Sequence, residues 1–156
     1  MKVAVLDNLR SVHNVGSIFR TCNASSIEKI YLTGTTPTPL DHKGNRRKDF
    51  SKVALGAEDL VAWEYCEDVV SCVKKLQKEN FYIISLEQDI HSTDYKNITI
   101  PKGKEVAFIV GAEVDGINHE VIKLSDVIAE IPMLGTKESL NVTIAFGIGV
   151  YRILGI

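Results

Sequence analysis

Residues 131–151 read IPMLGTKESLNVTIAFGIGVY, and the apolar second half of this stretch constrains how the chain folds. The run from Val142 to Tyr151 is apolar almost all round, which predicts a terminal helix that other elements cover on more than one side. Ala145 and Gly149 stand four residues apart, so they form a flat strip where a second backbone can approach. We expect this helix to pack against the chain's own sheet on one side and against another subunit on the other.

Back along the chain, apolar runs alternate with amphipathic segments. The apolar runs predict strands over residues 2–6, 29–33, 60–64, 81–86, 105–110 and 127–131. Helices are predicted over residues 15–24, 49–55, 68–79, 118–124 and 141–154, and loops over 34–45 and 87–104. Strands separated by helices predict an α/β fold, a mainly parallel sheet with helices on both faces. No repeat or linker interrupts the pattern, so we expect one domain over residues 1–156.

Three of the predicted strands end beside residues that suit a binding site. Leu86 closes one strand, Gly111 follows another, and Pro132 and Met133 follow a third. Ligands of open parallel sheets bind at the carboxyl ends of the strands. We therefore expect these three segments to converge on one rim of the sheet.

The composition is that of an ordinary globular protein, with 45% hydrophobic and 24% charged residues in a chain of 156. No apolar segment reaches about 18 residues without a polar interruption, so a membrane span is not expected. The N-terminus has the pattern of a strand and lacks the form of a secretory signal. Three cysteines without metal-type spacing and four scattered histidines predict reduced thiols, a cytoplasmic protein and no metal site.

The net charge of −2 argues against a broadly basic nucleic-acid coat protein, so any nucleic acid must bind a local patch. One loop qualifies, marked by Gly44 and Asn45. Its basic residues fall within ten positions: Lys43, Arg46, Arg47, Lys48 and Lys52. Such a patch supplies affinity for phosphates without sequence discrimination. A solvated surface loop is the alternative interpretation.

A polar cluster lies between the first strand and the helix that follows it. Asn14 is placed to cap that helix, and Gly16 leaves its first turn open for a bound group. Arg20 is six residues beyond Asn14, so both can face one ligand. A simple cap and a surface arginine are the alternative.

Two further clusters lie in the second half of the chain. Residues 111–116, GAEVDG, follow a strand but do not match the glycine-rich phosphate loops. Glu113 and Asp115 would repel a phosphate, so a cationic or hydroxyl-bearing ligand fits better, and a tight turn with solvated acids is the alternative. Ser139 and Asn141 precede the terminal helix, where the simplest interpretation has Ser139 as the cap and Asn141 in the first turn.

In chain order, N-x-x-x-x-x-R at 14–20, G-x-E-x-x-G at 111–116, I-P-M at 131–133 and S-L-N-V at 139–142 resemble the motifs of a known family. This is the SpoU/TrmH family of SPOUT-class RNA ribose 2′-O-methyltransferases. Residues 52–58, KVALGAE, are similar to the segment between its first and second motifs, and the resemblance runs from Asp7 to Tyr151. It implies a C-terminal trefoil knot, which general folding rules disfavour. It also implies a homodimer packed partly through the terminal helix.

The resemblance implies a cofactor and a set of site residues. Members bind S-adenosylmethionine in the knotted region, largely through backbone groups, which here implies Leu86, Gly111, Glu113, Gly116, Ile131, Met133, Ser139 and Leu140. The catalytic positions correspond to Asn14, Arg20, Glu113, Ser139 and Asn141. A guanidinium stays protonated in proteins. For Arg20 we therefore favour clamping of a phosphate and stabilisation of a developing alkoxide over proton removal.

The implied activity is methylation of a ribose 2′-hydroxyl in RNA. We favour tRNA over rRNA because the chain resembles the minimal members, some of which methylate a wobble-position ribose in tRNA. Arg10 and the basic loop are then the expected RNA contacts, with RNA lying across both subunits. A catalytically inactive RNA-binding module of the same fold is the alternative, and the intact set of catalytic positions speaks against it. A flavodoxin-like nucleotide-binding domain is a third interpretation, but residues 10–13 lack the glycines of its phosphate loop.

Overall fold

The computed structural model describes residues 1–156 as seven strands and six α-helices. The strands are β1 (Lys2–Asp7), β2 (Lys29–Thr33), β3 (Ala62–Cys66), β4 (Phe81–Leu86), β5 (Thr93–Asp94), β6 (Glu105–Val110) and β7 (Val127–Glu130). The helices are α1 (Val12–Ala24), α2 (Lys48–Ala54), α3 (Ala57–Leu60), α4 (Val69–Lys78), α5 (His119–Leu124) and α6 (Val142–Leu154). A 3-10 turn over Tyr95–Asn97 follows β5.

All seven strands form one parallel sheet in the order β3-β2-β1-β6-β4-β7-β5. The interior strand β1 pairs with β2 on one side and with the central strand β6 on the other, where the register joins Lys2 to Val106. The predicted α/β fold with a parallel sheet is confirmed. Because β4 lies between β6 and β7, the carboxyl ends of these three strands are neighbours.

Side chains alternate between two apolar layers, one on each face of the sheet. On β1, Ala4 and Leu6 point into the layer that contains residues of α1, α2 and α6. Val3 and Val5 point into the layer that contains residues of α4 and α5. Strands buried on both faces are near-continuous apolar runs. Helices therefore cover both faces of the sheet, as the alternation of elements predicted.

Several element boundaries differ from the prediction, and α1 begins at Val12, three residues before its predicted start. The strand predicted over residues 60–64 corresponds to β3, which begins at Ala62, two residues later than predicted. Leu60 belongs instead to the end of α3. The predicted loop over residues 87–104 contains β5 and the 3-10 turn. Strand β5 has two residues and pairs only with the end of β7, which is too short a run for periodicity to identify.

The strip of Ala145 and Gly149 on α6 was expected to accept a second subunit, and for Gly149 this expectation is wrong. Gly149 is buried and faces the chain's own sheet, where an added Cβ would lie 2.8 Å from Leu86 Cδ2. The exposed apolar face of α6 instead carries Ile144, Ile148 and Tyr151, with exposures of 52%, 38% and 37%. Because the helix is apolar almost all round, its sequence pattern does not distinguish the two faces. Gly149 is therefore excluded from the surface on which a second subunit could pack.

Two further observations bear on the sequence-based expectations. None of the helices has the length and hydropathy needed to cross a membrane. Cys22 and Cys72 are buried, Cys66 is half-buried, and none of the three is in a disulfide. The trefoil knot stays a prediction.

Candidate active site

A cavity of about 570 Å³ lies at the carboxyl ends of β4, β6 and β7. The strand tips contribute Leu86, Val110 and Ala129, and the loops that follow supply most of the remaining wall. The residues expected around a cofactor all line it: Leu86, Gly111, Glu113, Gly116, Ile131, Met133, Ser139 and Leu140. The wall also includes residues that sequence reasoning missed: Glu87, Gln88, Ala112, Val114, Glu138, Val142 and Ala145.

The loop after β6 closes on itself at two glycines. The backbones of Ala112 and Gly116 exchange hydrogen bonds of 3.1 and 2.9 Å. A Cβ on Gly111 would overlap the backbone of Gly116, and Gly116 itself has φ +69°, a conformation that favours glycine. Glu87 Oε2 accepts a hydrogen bond of 3.1 Å from the Ile117 N–H, which ties the loop to the end of β4. The backbone of this loop is thereby held against the cavity.

Three of the predicted catalytic residues form a hydrogen-bonded chain across segments that are distant in sequence. Asn14 Nδ2 donates to Glu113 Oε1 at 2.8 Å, and Asn141 Nδ2 donates to Asn14 Oδ1 at 3.4 Å. The backbone N–H and the hydroxyl of Thr143 both donate to Asn141 Oδ1, at 2.9 and 2.6 Å. Asn14 is only 9% exposed. Because each amide has a donor on one side and an acceptor on the other, the orientations of both carboxamides are fixed.

The helix caps differ from the expected ones and explain why Asn14 is available. Ser11 caps α1 and accepts from the Asn14 N–H, so Asn14 lies within the first turn and its side chain reaches Glu113. Asn141, not Ser139, caps α6. Gly16 does not open the first turn to a ligand, because an added Cβ would lie 3.0 Å from Val53 Cβ of α2. Ser139 is exposed and lines the cavity.

The charge around the cavity has one sign. Three carboxylates, Glu87, Glu113 and Glu138, belong to lining residues, and no lysine, arginine or histidine does. Burial raises the pKa of Glu113, but hydrogen bonds from Asn14 and from the backbone of Arg10 outweigh it and lower the pKa below its ordinary value. Glu113 is therefore ionised at neutral pH. Together with the apolar wall, these carboxylates suit a partly apolar ligand that carries positive charge.

Arg20 does not line this cavity. It is exposed and lines a second cavity of about 410 Å³ between α1 and α6, together with Ser17, Thr21, Ala24, Thr143, Ile144 and Tyr151. Thr143 connects the two regions, because it lines the second cavity and donates to Asn141, which lines the first. The structure thus brings Asn14, Glu113 and Asn141 together and leaves Arg20 in a neighbouring cavity. The sequence spacing between Asn14 and Arg20 did not reveal this separation.

The basic residues expected to contact RNA divide into two groups. Three arginines already have carboxylate partners: Arg10 with Asp115 at 3.3 Å, Arg46 with Asp59, and Arg47 with Asp49 at 2.7 Å. Arg46 also approaches Glu58, whose side chain is 2% exposed and has no hydrogen-bond partner. Lys43, Lys48 and Lys52 are exposed and form no ion pair. Lys43 lies in the loop, whereas Lys48 and Lys52 lie on α2, and these three lysines are the free cations of residues 43–52.

Two of the missed residues had a signal in the sequence. Glu87 and Gln88 directly follow the strand that ends at Leu86, so the strand-end rule applied to them as well. Thr143 follows Asn141 by two residues, but its role depends on the cap that Asn141 forms. No group of three or more His, Cys, Asp or Glu side chains is arranged to hold a metal ion.

The chain is similar in sequence to RNA methylation enzymes. The 23S rRNA (guanosine-2′-O-)-methyltransferase RlmB of Ralstonia nicotianae is 27% identical over 152 residues, 95% of this chain and 56% of the relative. The tRNA (guanosine(18)-2′-O)-methyltransferase of Aquifex aeolicus is 26% identical over 150 residues, 96% of this chain and 67% of the relative. The chain spans little more than half the length of the rRNA relatives it matches.

Solved structures share the fold. The AdoMet-bound rRNA methyltransferase from Sinorhizobium meliloti has a TM-score of 0.86 at 24% identity, over 97% of this chain and 54% of that chain. A structure described as giving insights into the 2-OH methylation of C/U34 on tRNA has a TM-score of 0.81 at 18% identity, over 99% and 94%. The sequence profile of the SpoU rRNA Methylase family matches residues 1–151. The resemblance drawn from the motifs is confirmed, and the chain belongs to the SpoU rRNA methylase family.

Proposed function

We propose that the protein methylates a ribose 2′-hydroxyl in RNA with S-adenosylmethionine as the methyl donor. One observation carries the proposal: the hydrogen-bonded chain of Glu113, Asn14 and Asn141 lies beside a cavity at the tips of three parallel strands. The family membership supports it, because the rRNA and tRNA relatives are named as guanosine 2′-O-methyltransferases.

The cavity fits S-adenosylmethionine in size and charge. Ligand pockets are typically about 300–1,000 Å³ and mostly apolar, and this one falls in that range. Leu86, Ile131 and Leu140 offer apolar surface to an adenine ring, and the carboxylates complement the cation. The cofactor supplies an activated methyl group when it is bound. Positioning of the ribose against it then accounts for much of the acceleration, since alignment alone contributes about 7–11 kcal/mol in favourable cases.

The protein's residues then have distinct roles. The buried Asn14 amide and the ionised Glu113 hold the cavity wall in one conformation. Asn141 links this wall by hydrogen bonds to Thr143, which lines the second cavity. Arg20 faces the second cavity, where its permanent charge would clamp an RNA phosphate and stabilise a developing 2′-alkoxide. Water or the phosphate takes the proton.

We favour tRNA as the substrate. The solved structure described for the 2-OH methylation of C/U34 on tRNA matches this chain over nearly its whole length, which supports that choice. Lys43, Lys48 and Lys52 are the principal RNA contacts in this proposal because they have no ion-pair partner. Arg10, Arg46 and Arg47 join them only by leaving their carboxylates for RNA phosphates. Such contacts weaken steeply as salt concentration rises.

We also propose a homodimer, built on the exposed apolar face of α6. Ile144, Ile148 and Tyr151 lie at spacings of four and three residues on one side of that helix. Ile144 and Tyr151 also line the cavity of Arg20, so a second subunit packed here would border that cavity. RNA would then lie across both subunits. We expect residues 1–156 to form one knotted domain, working in the cytoplasm without a metal.

One experiment tests the activity. Isothermal titration of S-adenosylmethionine measures binding, and tritium transfer from it into total tRNA and rRNA measures turnover. We expect binding and transfer into tRNA. Binding without transfer favours the alternative of an inactive RNA-binding module, transfer into rRNA alone overturns the choice of tRNA, and absence of both overturns the proposal.

A further inference from the structure

Gln88, the second residue after β4, makes a contact that no catalytic role explains. Gln88 Nε2 donates a hydrogen bond of 2.8 Å to the backbone carbonyl of Glu138, fifty residues later. We propose that Gln88 is a positioning residue, which holds the segment 131–140 against the cavity in the form that binds the methyl donor. The proposal rests on the proposed function for its ligand.

The segment 131–140 has little else to hold it. It joins β7 to α6, and eight of its ten residues are exposed. The bond from Gln88 is its sole hydrogen bond, and it makes no backbone–backbone bond and no ion pair. Yet the segment supplies much of the cavity wall: Ile131, Met133, Glu138, Ser139 and Leu140. Ordering such a segment costs conformational entropy, so its single tether has a large share in fixing it.

Gln88 is well placed for this role because its neighbour holds the opposite wall. Glu87 accepts hydrogen bonds from Ile117 and from the Gln88 N–H, at 3.1 and 2.8 Å, and so fixes the loop after β6. Since a carbonyl only accepts, the Gln88 amide nitrogen must face Glu138. Gln88 Oε1 has no hydrogen-bond partner in the chain. Two adjacent residues at the end of β4 thereby connect both loops of the cavity.

Loss of this bond should affect cofactor binding more than turnover. Without the tether the segment leaves the cavity more often, and binding then has to order it. A saturating cofactor restores the order by its own contacts. We therefore expect a higher dissociation constant and a higher KM for S-adenosylmethionine, with kcat nearly unchanged.

The test uses Gln88→Met, which removes the donor, and Gln88→Glu, which replaces it with an acceptor that the Glu138 carbonyl repels. Gln77 offers a matched control, because its Nε2 donates at 2.9 Å to the Leu124 carbonyl, and Gln77 does not line the cavity. Tryptic cleavage after Lys137, followed by mass spectrometry on the protein without cofactor, reports release of the segment. Titration of S-adenosylmethionine and initial rates of transfer complete the comparison.

We expect cleavage after Lys137 and the dissociation constant to rise about fivefold in Gln88→Met and tenfold or more in Gln88→Glu, the factor that one hydrogen bond supplies. Gln77→Met and Gln77→Glu should leave both unchanged. Unchanged cleavage and affinity in Gln88→Glu overturn the inference, as does an equal effect in the Gln77 variants or a parallel fall in kcat. If wild-type protein binds no cofactor while Gln88→Glu is cleaved faster, the tether stands and the proposed function fails.

Discussion

Replacing Gly111 with alanine tests whether the closed loop after β6 forms the cavity wall. The added Cβ would overlap Gly116 and the Ile117 nitrogen, which are backbone atoms that no side-chain rotation can move away. The loop has to open, and it then loses the two Ala112–Gly116 hydrogen bonds and the bond from Ile117 to Glu87. At about 1 kcal/mol for each bond, Gly111→Ala should lower the free energy of unfolding by about 3 kcal/mol.

Thermal unfolding and calorimetry measure the two consequences. For a chain of this size, a loss of about 3 kcal/mol lowers Tm by about 6–12 °C. The dissociation constant for S-adenosylmethionine should rise at least tenfold, roughly what losing one or two loop contacts costs. Gly135→Ala is the control, because a Cβ there meets nothing within 4 Å, although Gly135 also belongs to a cavity loop. Wild-type Tm and affinity in Gly111→Ala, or the same losses in Gly135→Ala, would refute the steric argument.

Three further variants probe the remaining parts of the proposal. Arg20→Ala should keep the cofactor's dissociation constant within about twofold while tritium transfer falls roughly a hundredfold, as for loss of one charge-stabilising donor; an equal loss of both contradicts its assigned role. Ile148→Glu places a charge on the exposed face of α6 and should yield monomers in size-exclusion chromatography, whereas an unchanged dimer peak would place the interface elsewhere. The pKa of Glu113 is lowered in the folded protein, so its ionised carboxylate stabilises the fold at pH values above its ordinary pKa of 4.5. This contribution is lost as the pH falls through the pKa of the native state. Unfolding curves should therefore show wild type more stable than Glu113→Gln at neutral pH and the difference vanishing in acid; a constant difference contradicts this.

The sheet was predictable because its strands are continuous apolar runs with polar boundaries. Strands 81–86 and 105–110 were predicted to the residue, and their ends correctly indicated the rim where the cavity lies. The short elements β5 and α3 were not predicted, because they contain too few residues to show a hydrophobic period. The caps were misassigned because Ser11 and Ser139 compete with nearby asparagines for the same role, and the sequence favours neither.

Sequence patterns did not reveal the contacts between elements that are distant along the chain. The position of Arg20 depends on how α1 packs against α6, and spacing along α1 carries no information about that. Arg46 and Arg47 were expected to contact RNA, but they pair with carboxylates of α3 and α2. Gly149 illustrates the same limit, because a helix that is apolar all round does not show which side meets its own sheet.

The pairing of β1 with β6 has a consequence for how the chain acquires its structure. Lys2 of β1 pairs with Val106 of β6, on the order of 100 residues later in the chain, and parallel strand pairings with such separations form slowly. During synthesis β1 can pair with β2 early, but its other edge stays open until β6 leaves the ribosome. An interrupted chain that stops before Glu105 would expose that apolar edge, so nascent fragments of this protein should be strong clients of chaperones.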